Sequence, residues 1–276
     1  MIETTKIKWS KKWPHLLILG AIHGDEICGT YAIKKLLKDI DTGRLTLEKW
    51  IITCIPICNP KAYKNRVRYT EKNLNRVIKK HTNPVAYEEH LANILIKEIE
   101  KCEYILDLHS MHSNGKSFVF QDYNDNATIK FCKNMELEYI ITGRTTIDMG
   151  NENADTIGYA HKYWKIWAVV ECGQHNDEKS KEVAYETIIK TLVGLWMISG
   201  KQISTKKSIS IAVKEVIMKT KKGHFSQPRN HLDQVSAWTI IATYSDEEKI
   251  VAKKDSYIVL PNETAKIWDE RFYLGK

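Results

Sequence analysis

The sequence predicts an α/β fold in which a mixed central sheet is covered by helices and followed by a small C-terminal β subdomain. Three observations point there. From about residue 16 to residue 195, short β-rich apolar runs alternate with longer segments of helical period, the order that places helices on the faces of a sheet. After Ser199-Gly200 strand-like runs take over, separated by turn signals such as Lys222-Gly223 and Pro261-Asn262. With 276 residues and 43% hydrophobic content, the chain can bury a substantial core.

Strands are expected at residues 16–21, 50–58, 104–109, 117–121, 139–142 and 166–172, each rich in aliphatic or β-branched side chains. Helices are expected near residues 26–40, 84–102, 127–137 and 179–198, the last with Val183, Ile188, Ile189, Leu192 and Leu195 at helical spacing. The C-terminal strand-like runs are 208–218, 235–244, 249–252 and 257–260. The organisation that follows is a main domain over residues 1–200 and a β-rich subdomain over residues 201–276, joined near Gly200 by too short a link for free motion.

The net charge of +8 comes mostly from lysine spread along the whole chain. That is the pattern of a solvated surface, not of a nucleic-acid groove, and it suits an anionic substrate. Six cysteines (Cys28, Cys54, Cys58, Cys102, Cys132 and Cys172) lie inside or beside apolar segments without a CxxC pair. They read as reduced core residues, not as a disulfide framework or a thiolate zinc site. The N-terminal region has no basic stretch followed by a long apolar run, and the apolar run over residues 16–22 is too short to span a bilayer. A cytoplasmic protein without a membrane partner is expected.

Chemistry concentrates in four stretches. In the first, an apolar strand enters a glycine-marked turn, Gly20-Ala21-Ile22-His23-Gly24-Asp25-Glu26, ahead of a helix. Sites of open α/β sheets lie at such carboxyl ends of strands. His23 and Glu26, three apart, can point at one ion from a turn, although the pair alone also fits a surface salt bridge or a helix cap. In the second stretch, residues 104–112, alternation puts Asp107 and His109 on one strand face and Leu106 and Leu108 on the other. Alone, His109 fits a hydrogen-bonded core histidine. With His23 and Glu26 it completes a His₂Glu set that leaves a fourth zinc position for water. His112 competes for the same role from beyond the strand end.

The third stretch runs from Asn59-Pro60 through Arg66-Val67-Arg68-Tyr69 to Asn73-Leu74-Asn75-Arg76. Three of seven arginines fall here in a chain where lysine dominates. That choice suggests planar, bidentate recognition of a carboxylate or an oxyanion; the plain alternative is a solvated loop with structural salt bridges. The fourth stretch, residues 166–174, is an apolar strand with one carboxylate, Glu171, near its end. A buried charge needs a cationic or metal-bound partner or a raised pKa. Glu171 reads as a structural ion pair in isolation and as a general base beside a metal-bound water.

With these stretches in this order, the sequence resembles the succinylglutamate desuccinylase/aspartoacylase family, a branch of the zinc carboxypeptidase-like fold, over roughly residues 16–173. The family's Gly-x-His-Gly-x-Glu element appears as Gly20 to Glu26 with one additional residue between glycine and histidine. Its Asn-Pro and Arg-Tyr elements match Asn59-Pro60 and Arg68-Tyr69, and its Leu-Asn-Arg matches Leu74-Asn75-Arg76. Its Asp-Leu-His and Glu-x-Gly match Asp107-Leu108-His109 and Glu171-Cys172-Gly173.

The resemblance implies one Zn²⁺ per chain held by His23, Glu26 and His109, with Glu171 as general base. It also implies that Arg68 polarises the scissile carbonyl and that Asn75 and Arg76 hold a substrate carboxylate. Two departures stand out. The family commonly has Asp where this chain has Asn73, whose side-chain carbonyl is expected, with Asp107, to support the ligand histidines from outside. Aspartoacylases carry a carboxylate-binding arginine about ten residues before the base, where this chain reads Tyr159-Ala160-His161-Lys162. His161, or its neighbour Lys162, is the expected substitute in substrate binding, without the bidentate geometry of arginine.

The expected function is a zinc-dependent amidohydrolase, residues 1–200 forming the catalytic domain, that removes an acetyl- or succinyl-type group from a small anionic N-acyl amino acid. The alternative is a zinc carboxypeptidase acting on peptides with the same metal and carboxylate clamp. A third reading, a non-catalytic basic nucleic-acid-binding protein, is disfavoured by the filled metal and base positions and by the lack of a basic-aromatic cluster. No nucleic-acid partner is expected, and a homo-oligomer is left open.

Overall fold

The computed structural model describes residues 2–8, 14–122, 125–144, 154–200 and 207–276. The first half contains β1 (Thr5–Lys8), β2 (His15–Gly20), α1 (Cys28–Asp41), β3 (Ile51–Ile55), α2 (Pro60–Asn65), α3 (Tyr87–Glu100) and β4 (Tyr104–Met111). There follow β5 (Phe118–Phe120), α4 (Asn126–Lys133), β6 (Tyr139–Thr142), α5 (Thr156–Lys162), β7 (Ile166–Gln174) and α6 (Glu178–Gly194). The C-terminal segment supplies β8 (Ile209–Met218), β9 (Gly223–Phe225), β10 (Asp233–Val235), β11 (Ile240–Tyr244), β12 (Lys249–Val251), β13 (Ser256–Val259) and β14 (Glu270–Gly275).

Eleven strands form one mixed sheet in the order β1-β3-β2-β4-β7-β5-β6-β8-β14-β13-β10. β3, β2, β4 and β7 run parallel, so their carboxyl ends lie along one edge of the sheet. β2 reads His-Leu-Leu-Ile-Leu-Gly and is buried throughout, because a central parallel strand loses both faces to covering helices. Leu17 and Leu19 share a core with Leu91, Leu95 and Ile99 of α3 and with Ile157 and Ala160 of α5. Leu16 and Ile18 point the other way, to Ile33 and Leu36 of α1, Phe131 of α4, and Ile188 and Leu192 of α6. The period-two alternation of one strand thereby joins two helical layers to one sheet.

The C-terminal segment divides between two sheets. β8 pairs parallel with β6, and β14, β13 and β10 extend the main sheet to its far edge. The remaining strands form a small antiparallel sheet, β12-β11-β9, which shares a core of Phe225, Ile241, Ala242, Phe272 and Leu274 with β14. The run expected as one strand over residues 235–244 is two strands in different sheets, because the chain turns at Trp238, where φ is 68°. The expected division at residues 200 and 201 abuts residues 201–206, outside the described residues.

Hydrophobic periodicity does not reveal α2 or α5, which are six and seven residues long and start at local caps instead. Asn59 accepts a hydrogen bond from the Ala62 N–H at 3.3 Å with Pro60 in the first position, and Asp155 accepts from the Gly158 N–H at 2.7 Å. All six cysteines are buried and free. No helix among the described residues is long and apolar enough to cross a membrane.

The arginine-rich stretch follows α2, and one buried carboxylate fixes part of it. Glu88, in the first turn of α3, accepts from the Thr70 N–H at 2.8 Å, Thr70 Oγ1 at 2.7 Å, the Glu71 N–H at 3.2 Å and the Lys72 N–H at 3.1 Å. Asn59 Nδ2 donates to it at 3.3 Å. Burial alone would raise the Glu88 pKa, but these donors outweigh it and hold the carboxyl low. Glu88→Ala strands several loop donors, at about 1–3 kcal/mol for each left unpaired. Because the loop donors are only part-buried and water can replace most of the lost partners, a net loss of about 2 kcal/mol is expected, which should lower Tm by roughly 4–8 °C, read by thermal unfolding; an unchanged Tm contradicts the clamp.

Candidate metal centre

Three parallel strand ends supply the site. The turn after β2 carries His23 and Glu26 before α1 begins at Cys28. This turn is pressed against α2: a Cβ on Gly24 would lie 2.0 Å from the Ala62 carbonyl carbon and 2.2 Å from the Tyr63 nitrogen, so only glycine fits there. The Gly24 N–H donates to the Arg68 carbonyl at 3.2 Å, tying the turn to the arginine-rich loop. β4 brings Asp107 and His109, and β7 brings Glu171 into register beside His109.

Glu26 lies at the centre. Its Oε1 is 2.8 Å from His23 Nδ1 and accepts from Arg68 Nη1 at 2.8 Å. Its Oε2 is 2.7 Å from His109 Nδ1 and accepts from the Ser110 N–H at 3.2 Å. His23, Glu26 and His109 are each only 2% exposed. Burial disfavours the Glu26 carboxylate, but the charges and hydrogen bonds of the two imidazoles prevail and hold its pKa well below the usual range. Burial also opposes charge on His109, yet Asp107 and Glu26 raise its pKa well above the ordinary value. At His23, burial and the Arg68 charge prevail and push the pKa down to about 4.

The far nitrogen of each ring meets an outer oxygen. His23 Nε2 is 3.1 Å from Asn73 Oδ1, and His109 Nε2 is 3.0 Å from Asp107 Oδ2. Asp107 Oδ2 also accepts from Thr156 Oγ1 at 2.7 Å, at the start of α5. One ligand atom from each of His23, Glu26 and His109 lies within 4.8 Å of the other two, so the three could hold a metal ion. Two imidazoles oriented from outside and one carboxylate are the donor chemistry of a catalytic zinc site with an open position.

A cavity opens over this group and brings Arg68, Asn73, Asn75, Arg76 and Glu171 together around it. Glu171 is 8% exposed. Burial and the neighbouring Glu26 charge push its pKa well above the usual carboxylate value, and its Oε2 has no hydrogen-bond partner among the described residues. Asn75 Oδ1 accepts from the Thr156 N–H at 3.1 Å. Arg76 Nη1 donates to the Asn75 carbonyl at 2.7 Å, and Nη2 pairs with Glu270 of β14.

The lining residues that sequence reasoning missed include Arg144, Glu270 and Tyr273. Arg144 Nη2 donates to Asp155 Oδ2 at 2.7 Å. Its signal is an arginine two residues past a strand in a lysine-rich chain, the same preference that marks residues 66–76. His161 is half-buried in the last turn of α5 and is not among the lining residues; α5 presents Ile157 to the cavity, one turn earlier.

Residues 12–193 match the succinylglutamate desuccinylase/aspartoacylase catalytic domain. The chain belongs to this family. A probable aspartoacylase of Prochlorococcus marinus (strain MIT 9301) is 24% identical over 258 residues, which cover 87% of this chain and 79% of that protein. Another, from Prochlorococcus marinus subsp. pastoris (strain CCMP1986 / NIES-2087 / MED4), is 33% identical over 110 residues, 38% of this chain and 36% of the relative's own length. Among solved structures, the succinylglutamate desuccinylase/aspartoacylase of Rhodobacter sphaeroides has a TM-score of 0.80 at 14% identity, covering 100% of this chain and 89% of that one. The product-bound ectoine utilization protein of Ruegeria pomeroyi also gives 0.80, at 17% identity, covering 100% and 88%. At those identities the likeness is one of fold.

Arg144 and Asp155 are each 6% exposed, which makes their pairing testable. Breaking a buried pair from one side typically costs about 3–5 kcal/mol. Asp155→Asn keeps the cap of α5 but removes the charge, and its remaining carbonyl sets the loss at the lower end of that range. Arg144→Met in the same chain should recover part of it in thermal unfolding, because Asp122, 3.8 Å from Arg144 Nε, then loses its cation. Additive losses in the double variant would show that the two charges are not coupled.

Proposed function

We propose that the protein is a zinc-dependent amidohydrolase that removes a small acyl group, of acetyl or succinyl type, from the amino group of a small anionic amino acid. The observation that carries this reading is the buried His23-Glu26-His109 donor set beside a buried carboxylate, Glu171, whose Oε2 has no hydrogen-bond partner among the described residues. Family membership supports the reaction class, and the cavity arginines support an anionic substrate.

His23, Glu26 and His109 would hold Zn²⁺, which when bound would supply a water with a pKa of about 7 and a Lewis acid for the amide carbonyl. Asn73 and Asp107 orient the two imidazoles from outside. Glu171 takes the proton of the attacking water and returns it to the amine nitrogen as the C–N bond breaks. Arg68 faces the oxygen on which negative charge develops. Asn75 and Arg76 hold one substrate carboxylate, and Arg144 offers a second cationic contact to an anionic group.

The test is a panel of N-acetyl, N-succinyl and N-formyl amino acids, run beside peptides, with zinc-loaded protein. Hydrolysis of an N-acyl amino acid is expected; release of C-terminal residues from peptides alone would replace this reading with a carboxypeptidase. On the best substrate, Glu171→Gln should keep its zinc and lose about a hundredfold to ten-thousandfold in turnover, because shape survives while the proton acceptor is gone. Near-normal turnover in that variant would exclude Glu171 as the base.

A further inference from the structure

We infer that Asp25, His112 and His175 form a second metal site, for a divalent transition ion of the zinc type, beside the first centre. One ligand atom from each lies within 4.8 Å of the other two. The rings of His112 and His175 have centroids 4.4 Å apart and cross at 75°. Two imidazoles and a carboxylate repeat the donor composition of the first cluster, yet none of the three residues takes part in the reaction proposed above.

Two observations indicate a ligand between these side chains. Asp25 Oδ1 and His175 Nε2 are buried atoms without a hydrogen-bond partner among the described residues. An unpaired carboxylate oxygen and an unpaired ring nitrogen on side chains whose ligand atoms approach this closely are costly together, and a cation can satisfy both at once. His175 Nδ1 lies 2.8 Å from Ser110 Oγ. When that nitrogen carries the proton and donates it to Ser110, the Nε2 lone pair is left for a metal, which is the arrangement of ligating histidines.

The backbone explains how the group forms. The pairing of β4 with β7 shifts register between His109 and Met111, and β7 takes up an extra residue near Gly173, where φ is 132°. Such a bulge redirects the strand end and carries His175 across to His112. The His175 N–H then donates to the Met111 carbonyl at 3.0 Å, and Gln174 Nε2 donates to the His112 carbonyl at 3.3 Å. Ser110 joins the two clusters, since its N–H donates to Glu26 while its hydroxyl meets His175. Asp25, His112 and His175 are half-buried, whereas the first cluster is buried, so a chelator should empty the second site first.

The test counts metal in the full chain. Protein stripped with a chelator is dialysed against buffered free Zn²⁺, and bound zinc per chain is measured by atomic emission. Wild type should hold two ions, while Asp25→Asn, His112→Ala and His175→Gln should each hold one, as should His109→Ala. Asp25→Asn is close to isosteric, and equal unfolding temperatures of the metal-free wild type and variant separate lost ligation from lost folding. Wild type holding one ion that the three variants retain overturns the second site and leaves the first untouched. Two ions retained in all three variants also overturns it, because the extra ion then lies elsewhere. Wild type holding one ion that His175→Gln loses would mean that these residues, not His23, Glu26 and His109, are the protein's metal centre. The count is independent of any deacylase activity.

Discussion

A carboxylate with 2% of its surface exposed persists as an ion only where its charge is met. Glu26 is met by His23, Arg68, His109 and the Ser110 N–H. These partners come from its own turn, from the loop after α2 and from the end of β4. Three segments far apart in sequence are therefore held to one point by one ionised group. The support extends outward from there. Gly24 lets the turn approach α2, Glu88 anchors the loop on which Arg68 lies, and Asn73 and Asp107 hold the far side of the two rings.

The cavity applies the same rule to its cations. Arg68 pairs with Glu26, Arg76 with Glu270, and Arg144 with Asp155 and, at 3.8 Å, Asp122. A guanidinium has five N–H donors, so one carboxylate partner fixes its plane and still leaves donors for an incoming anion. Burial disfavours ionised Glu270, but the Arg76 charge prevails and keeps its pKa low. Because Glu270 and Tyr273 belong to β14, the C-terminal segment completes the cavity wall rather than forming an appendage beside it.

The parts legible in the sequence are those whose signal is local. β2, β4 and β7 are buried on both faces and read as apolar runs, and the polar residues at their ends stand out against them. The residues that escaped are placed by long-range pairing. β14 is positioned by its partners β8 and β13, so nothing around Glu270 marks it as part of a site 194 residues away from Arg76. Arg144 follows β6 and reaches the cavity through a partner on another element, Asp155, which a spacing rule counted back from Glu171 does not find. His161 satisfies that spacing, but the short helix that carries it presents Ile157 instead. The register shift between β4 and β7 that precedes His175 is likewise invisible to alternation.

If the charge of Glu26, and not merely its shape, organises the centre, then removing the charge while keeping the shape should dismantle metal binding. The measurement is the Zn²⁺ affinity of Glu26→Gln by competition with a chromophoric chelator, made in a His175→Gln background so that one site is read. The account predicts a loss greater than the about 10- to 100-fold typical of outer partners of a metal ligand, in a chain that still folds. An affinity within a few-fold of the His175→Gln parent would contradict it.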